Sequence, residues 1–333
     1  MDIDETEFPR NLGINTFIKK YHAEFPKIIE RYHPDHWELT QELEQLGSTV
    51  LPTYDRQQFR TFLLLVNLWK NPHGSALRTA LLHTIRNNRY AIDRASRQVR
   101  IGLINQDDVG AVAAFSHMVG FGKHRRTPMI SAVLRFLAPD RYGTVDYRNW
   151  SVLSNTQHSF FDSPLVKPLA PTFLESKRQA IDSSMYLDYL KIIRTLAVQC
   201  NVRPADVDMA LFAFSDRVRS LQAIFYGPHH FGRAKRHAVR MLAHIWLIIE
   251  TAWGVGLGGP AEILLERALG YAVLGDFLGL YRECKRMVAH RPEMDREIEK
   301  RATSLGLKEY ASVRTQLDAL AQISYEAFAS LRS

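Results

Sequence analysis

The segment Asp107–Leu153 constrains the fold more than any other part of the chain, because it spells two helices joined by a glycine turn. Its centre reads Met118-Val119-Gly120-Phe121-Gly122-Lys123-His124-Arg125-Arg126-Thr127-Pro128. Upstream, Val109, Val112, Ala113 and Ser116 recur at helical spacing, a small-residue face that predicts close helix packing. Downstream, Ile130, Val133, Leu134 and Leu137 repeat the spacing with larger side chains. Thr127 is expected as the N-cap of that second helix and Pro128 as its first residue, where a missing N–H costs nothing. Pro128 also disfavours the α region at Thr127, as an N-cap requires. The second helix should end near Ala138-Pro139-Asp140, before Tyr142-Gly143-Thr144-Val145-Asp146-Tyr147-Arg148.

The turn has a chemical reading. Gly120 and Gly122 permit positive φ and a close backbone approach to a ligand. The N–H groups and dipole of a helix start favour an anion, and Lys123, Arg125 and Arg126 add positive charge at the same place. Phosphate is the ligand this composition suits. A plain helix corner with solvated bases explains the same residues equally well, since two glycines with one residue between them are a weak motif.

Charge points the same way. The formal net charge is +8, unevenly spread. Residues 1–60 hold 11 acids and 7 bases, a balance of −4, which leaves 36 bases and 24 acids, or +12, in the rest. A basic body suggests an anionic partner, nucleic acid being the commonest, against the alternative of a merely soluble basic surface. Cys200 and Cys284 are too few for a disulfide framework, a cysteine zinc site or an iron–sulfur cluster, which suits a reducing cytoplasm. The start, Met1-Asp2-Ile3-Asp4-Glu5, is acidic without an apolar run, so no signal peptide is expected. The apolar stretch at Ile245–Ile249 is too short to span a bilayer, and no membrane partner is expected.

Elsewhere the pattern is helical, and no β alternation is sustained, so the fold class predicted is all-α. Residues 11–31 read as a helix around Phe17, Tyr21, Ile28 and Ile29, broken at His33-Pro34-Asp35. Trp37–Leu46 and Asp55–Trp69 follow, the latter with Phe59, Phe62, Leu63 and Val66 on one face. After the turn Asn71-Pro72-His73-Gly74, Ser75 should cap a helix through Leu77, Ala80, Leu81 and Ile85 that ends at Arg86–Arg89. Ala91–Gly102 is ambiguous. A helix is expected to begin at Asn149–Leu153, and residues 154–175, with Pro164, Pro168 and Pro171, read as a long loop. Met185–Cys200 predicts an amphipathic helix on Leu187, Leu190, Ile192 and Ile193. Arg203–Leu211 opens another, with Asp208 structural between buried Val207 and Leu211. Tyr226–Arg233 reads as a basic turn. The helix after it carries Arg233, Lys235, Arg236, His237, Arg240 and His244, a face suited to phosphate or simply to solvent. His237 and His244 share that face without a carboxylate to complete a metal site. Trp253–Pro260 lacks the strand and the Lys-Ser/Thr of a nucleotide loop and reads as a helix–helix turn, with further helices over Ala261–Leu331. Domain divisions are expected at residues 1–54, 55–215 and 216–333.

The order of glycine hairpin, helix from Thr127, and Val145-Asp146 resembles the helix-hairpin-helix DNA glycosylase superfamily, the endonuclease-III-like fold. The resemblance covers residues 105–155 well and 55–215 loosely. It implies DNA as partner, Gly120, Gly122, Lys123, His124, Arg125, Arg126, Thr127 and Arg148 as DNA-binding residues, Asp146 as the catalytic carboxylate and no cofactor. Between hairpin and threonine the chain carries two extra residues, so that His124 or Arg126 falls where lyase members have a lysine. Neither side chain forms a Schiff base, so the implied activity is monofunctional: release of a modified or damaged base, in DNA repair, without strand cleavage. A base in a duplex must first be flipped out, and Asp146 would then stabilise an oxocarbenium-like sugar and orient water. Asp146 also reads as a helix cap. The alternatives are a DNA-binding module without catalysis and a helical interaction protein of a nucleic-acid complex.

Overall fold

Every element of the computed structural model is a helix, and no strand occurs among the described residues, which are 13–32, 35–53, 55–71, 74–87, 89–121, 127–154, 169, 181–215, 230–253, 260–290 and 313–329. The helices are α1 (Ile14–Tyr32), α2 (His36–Thr53), α3 (Arg56–Lys70), α4 (Gly74–Ile85), α5 (Arg89–Ile104), α6 (Asp108–Ala113) and α7 (Thr127–Leu137). They continue as α8 (Tyr147–Ser154), α9 (Ser183–Cys200), α10 (Pro204–Phe214), α11 (His230–Trp253), α12 (Pro260–Leu274), α13 (Phe277–His290) and α14 (Val313–Ala329).

Two compact units interleave along the chain. The first draws on residues 1–32, 101–113 and 123–224, the second on residues 33–100, 114–122 and 225–333. In the first, α1 packs on α10, and α9 on both. Spacing explains the α1 contact. Phe17, Tyr21 and Phe25 fall four residues apart, and their rings meet Phe214 at 4.8 and 4.9 Å and Phe212 at 5.9 Å. Burying each such ring contributes roughly 1.5–3 kcal/mol. In the second unit α3 packs against α2, α4 and α11. It is apolar nearly all round, from Phe59 to Leu68, so the single face of Phe59, Phe62, Leu63 and Val66 understates its burial. Asp55 caps α3 by accepting from the Gln57 and Gln58 amides. Its neighbours are then stitched on by side chains. Asn67 Nδ2 donates to Thr84 Oγ1 at 2.6 Å, and Trp69 Nε1 to Thr40 Oγ1 at 2.8 Å. Fully buried Arg60 stacks its guanidinium 3.9 Å from the Trp246 ring of α11.

Several expectations need correction. The predicted small-residue helix stops at Ala113, with Val109 63% exposed and Ala113 and Ser116 exposed as well. The buried residues are Ala111, Val112, Ala114, Phe115 and Met118, because after Ala113 the chain leaves the helix and turns its aromatic inward. Helix α4 begins at Gly74, one residue before the expected cap Ser75. The ambiguous Ala91–Gly102 lies inside α5. On α9 the buried face centres on Tyr186, Tyr189, Leu190 and Ile193, while Leu187 and Ile192 are only half-buried. His230–Arg233 belongs to α11 and not to a turn. Two residues of the face predicted for phosphate or solvent there are paired internally: buried Arg236 meets Glu38 at 3.1 Å and Glu42 at 3.9 Å, and Arg240 also pairs with Glu42. Of the long loop, only Leu169 is described beyond Ser154; it is buried, and its amide donates to the Leu153 carbonyl at 3.0 Å. No group of metal-ligating side chains occurs among the described residues. No described helix is long and apolar enough to cross a membrane.

Candidate functional site

The predicted site divides between the two units. On the second, Gly120 has φ 85°, and a Cβ there would lie 2.7 Å from the His83 Cβ, so both conformation and space demand glycine. Its neighbour Val119 is held at both backbone groups by Asn87. The amide donates to Asn87 Oδ1 at 2.6 Å, and Asn87 Nδ2 donates to the Val119 carbonyl at 3.1 Å. Asn87 is buried, and these two bonds fix the entry to the turn. Gly122, Lys123, His124, Arg125 and Arg126 lie outside the described residues.

On the first unit, Thr127 is buried and is the first residue of α7, whose Ile130, Val133, Leu134 and Leu137 are all buried as the spacing predicts. Beyond α7, Asp146 stands at the N-terminus of α8. Its Oδ1 accepts from the Arg148 and Asn149 amides at 2.9 and 3.1 Å, an N-cap, and Oδ2 lies 3.4 Å from Arg148 Nη1. The side chains of Asp146 and Arg148 are 13% and 15% exposed. The Arg148 guanidinium lies 4.9 Å from the Tyr147 ring and 5.4 Å from that of Phe212. Two of the predicted site residues are thus brought together, as a carboxylate and a guanidinium at one helix start.

The segment delivering Asp146 is held almost entirely by side chains. Tyr186 donates to the Gly143 carbonyl at 3.0 Å, and the Thr144 amide donates to Asp208 Oδ2 at 2.9 Å. The Thr144 carbonyl accepts from Asn149 at 3.2 Å and lies 3.2 Å from the Tyr189 hydroxyl, and the Val145 amide donates to Ser131 Oγ at 3.1 Å. Tyr189 and Asn149 also donate to Asp208 Oδ1. Burial, then the nearby Asp208 charge, pushes the Tyr189 hydroxyl well above its usual range. A Cβ on Gly143 would lie 2.7 Å from Ile193 Cδ1 and 2.9 Å from Asp208 Cβ, so the chain can pass here only as glycine.

A second polar cluster escaped the sequence reading. Asp108, which opens α6, accepts from Arg141 Nη2 at 2.7 Å, Arg194 Nη1 at 2.6 Å and Tyr142 Oη at 2.8 Å. Burial alone would raise its pKa; the bonds from Arg194, Tyr142 and Arg141 outweigh it and hold the carboxyl at about 2. Tyr142 is displaced upward by burial and by that carboxylate. Asp108, Arg141 and Arg194 line a cleft of about 830 Å³ together with Leu103, Ile104, Val198 and Asn201. Arg141 also follows the end of α7, so the cluster ties α6, α9 and the α7–α8 connection together. The pairing spans up to 86 residues, which no local pattern encodes.

Compared with protein-family models, curated proteins and solved structures, the chain matches none.

Proposed function

We propose that this protein binds DNA and hydrolyses the N-glycosidic bond of a modified or damaged base, with Asp146 as the carboxylate that stabilises the developing sugar cation. The observation that carries the reading is the placing of Asp146. It follows a glycine turn, a buried helix and a side-chain-clamped connection, and its carboxyl group is aimed by two helix-start amides. An aimed carboxylate contributes most where positive charge develops in the transition state. Gly120 at positive φ supports a turn whose backbone comes close to phosphate. The basic residues Lys123, Arg125 and Arg126 would supply the charge.

Screening duplexes that bear assorted modified bases for free base or abasic sites tests the chemistry. The partner is tested by salt titration. Replacing Lys123, Arg125 and Arg126 by Ala should weaken DNA binding and reduce the slope of log K against log salt by up to about 3, close to one per lost phosphate contact. An unchanged slope in a folded variant removes the hairpin from the interface.

A second reading, a DNA-binding module without catalysis, is favoured by the same cap and the Arg148 pairing, which give Asp146 a structural occupation. Binding without release from any base would select it. If release occurs, it should stop at the abasic site, and borohydride should trap no protein–DNA adduct, because His124 and Arg126 stand where an amine would be needed. An adduct lost in Lys123→Ala would make Lys123 the nucleophile and the enzyme a lyase.

A further inference from the structure

Asp208 is a buried acid in an apolar run, yet it is not merely tolerated there. Three donors converge on it, from the Thr144 backbone, Asn149 and Tyr189. An unpaired buried carboxylate is costly, and evenly satisfied by three donors it fixes whatever those donors belong to. Thr144 lies two residues before Asp146. Asn149 is one of the two residues whose amides hold Asp146 Oδ1. The same carboxylate therefore grips the chain on both sides of Asp146.

We propose that Asp208 is a positioning residue for Asp146: with Tyr189 and Asn149 it fixes the backbone from Gly143 to Asn149, and thereby the direction in which the Asp146 carboxyl group faces a bound nucleotide. This rests on the glycosylase reading for its catalytic consequence, while the clamp itself is a property of the fold. An amide at position 208 cannot replace the carboxylate, since it presents one acceptor and one donor to three donors.

The test compares Asp208→Asn, Tyr189→Phe and, as a control on the same helix, Asp206→Asn. Asp206 is also buried but has different partners: it pairs with Arg203 at 2.7 Å and lies 3.5 Å from His22. Single-turnover base release per folded molecule should fall roughly 100-fold in Asp208→Asn, the scale of a displaced catalytic group, and roughly 10-fold in Tyr189→Phe. DNA affinity should stay within about twofold in both, so that the rate and not the binding carries the loss. Asp206→Asn should lose thermal stability and keep its rate. Equal rates in Asp208→Asn and Asp206→Asn overturn the proposal, as would a loss in affinity equal to the loss in rate. If Asp208→Asn does not fold, Tyr189→Phe, which removes a single hydroxyl, carries the comparison. If the wild-type protein releases no base, the glycosylase reading has failed and hydrogen exchange decides the clamp separately. Faster exchange of the Thr144 and Val145 amides in Tyr189→Phe, with α1 and α10 unchanged, supports it, and unchanged exchange there overturns it.

Discussion

Asp146→Asn should lower base release by roughly a hundred- to a thousandfold, while DNA affinity stays equal or rises. The substitution isolates charge from structure. Asparagine caps a helix as well as aspartate does, and its oxygen can still accept from the Arg148 and Asn149 amides at the start of α8. The negative charge is lost, and with it the pairing to Arg148 and the interaction with the developing sugar cation, of which the latter exists in the transition state and not in the ground state. Removing one preorganised electrostatic partner of this kind costs on the order of 3–4 kcal/mol, or two to three decades in rate. Affinity should not fall, because a carboxylate beside phosphates opposes binding. The measurement is single-turnover release alongside fluorescence anisotropy and thermal melting. Full release by Asp146→Asn would end the catalytic assignment. A lowered melting temperature with unchanged DNA behaviour would leave the residue as the cap of α8 and nothing more.

The parts of this architecture that the sequence exposes are those written in local periods. Phe17, Tyr21 and Ile29 on α1, Leu77, Leu81 and Ile85 on α4, and Ile130, Val133, Leu134 and Leu137 on α7 recur at helical spacing, and all are buried. Asp208 is legible in the same way, since an acid flanked by buried Val207 and Leu211 has to be paired. Failures come where period and burial part company. Val109 and Ser116 fit a helical face, but the helix ends at Ala113, and Phe115 and Met118 take the core. The basic helix α11 shows the complementary limit. Arg236 and Arg240 look like a phosphate-binding surface until α2 supplies Glu38 and Glu42 from about 200 residues away, a partnership set by tertiary packing. Shorter separations hide as much: Tyr189 holds Asp208 across 19 residues, and Arg141 and Arg194 hold Asp108 across 33 and 86. The interleaving of the two units is likewise invisible to a reading that divides a chain into consecutive segments.

Asp108→Asn should strongly destabilise the first unit, and most of its effect should be lost in acid. The wild-type carboxylate holds Arg141 and Arg194 at 2.7 and 2.6 Å, and with Tyr142 it joins the start of α6 to α9. Its side chain is 21% exposed, so solvent screens the cluster only in part. Without that charge two neighbouring guanidiniums repel each other across a neutral amide. Breaking a buried pair by removing one partner costs about 3–5 kcal/mol, and the partial exposure here favours the lower end. The pH dependence follows from the depressed pKa. The folded carboxyl titrates at about 2 against 3.8 when unperturbed, so it contributes stability that is fully present above 3.8 and is lost as pH falls toward 2. That portion amounts to about 2 kcal/mol at neutral pH. The amide of the variant has no such titration, whereas the other carboxyl groups, Asp206 among them, act alike in both proteins. Melting temperatures of wild type and Asp108→Asn, far apart at pH 7, should therefore draw together between about pH 4 and pH 2. Curves that stay parallel over that range would mean that the cluster holds the unit by shape and hydrogen bonding, with the charge on Asp108 contributing nothing.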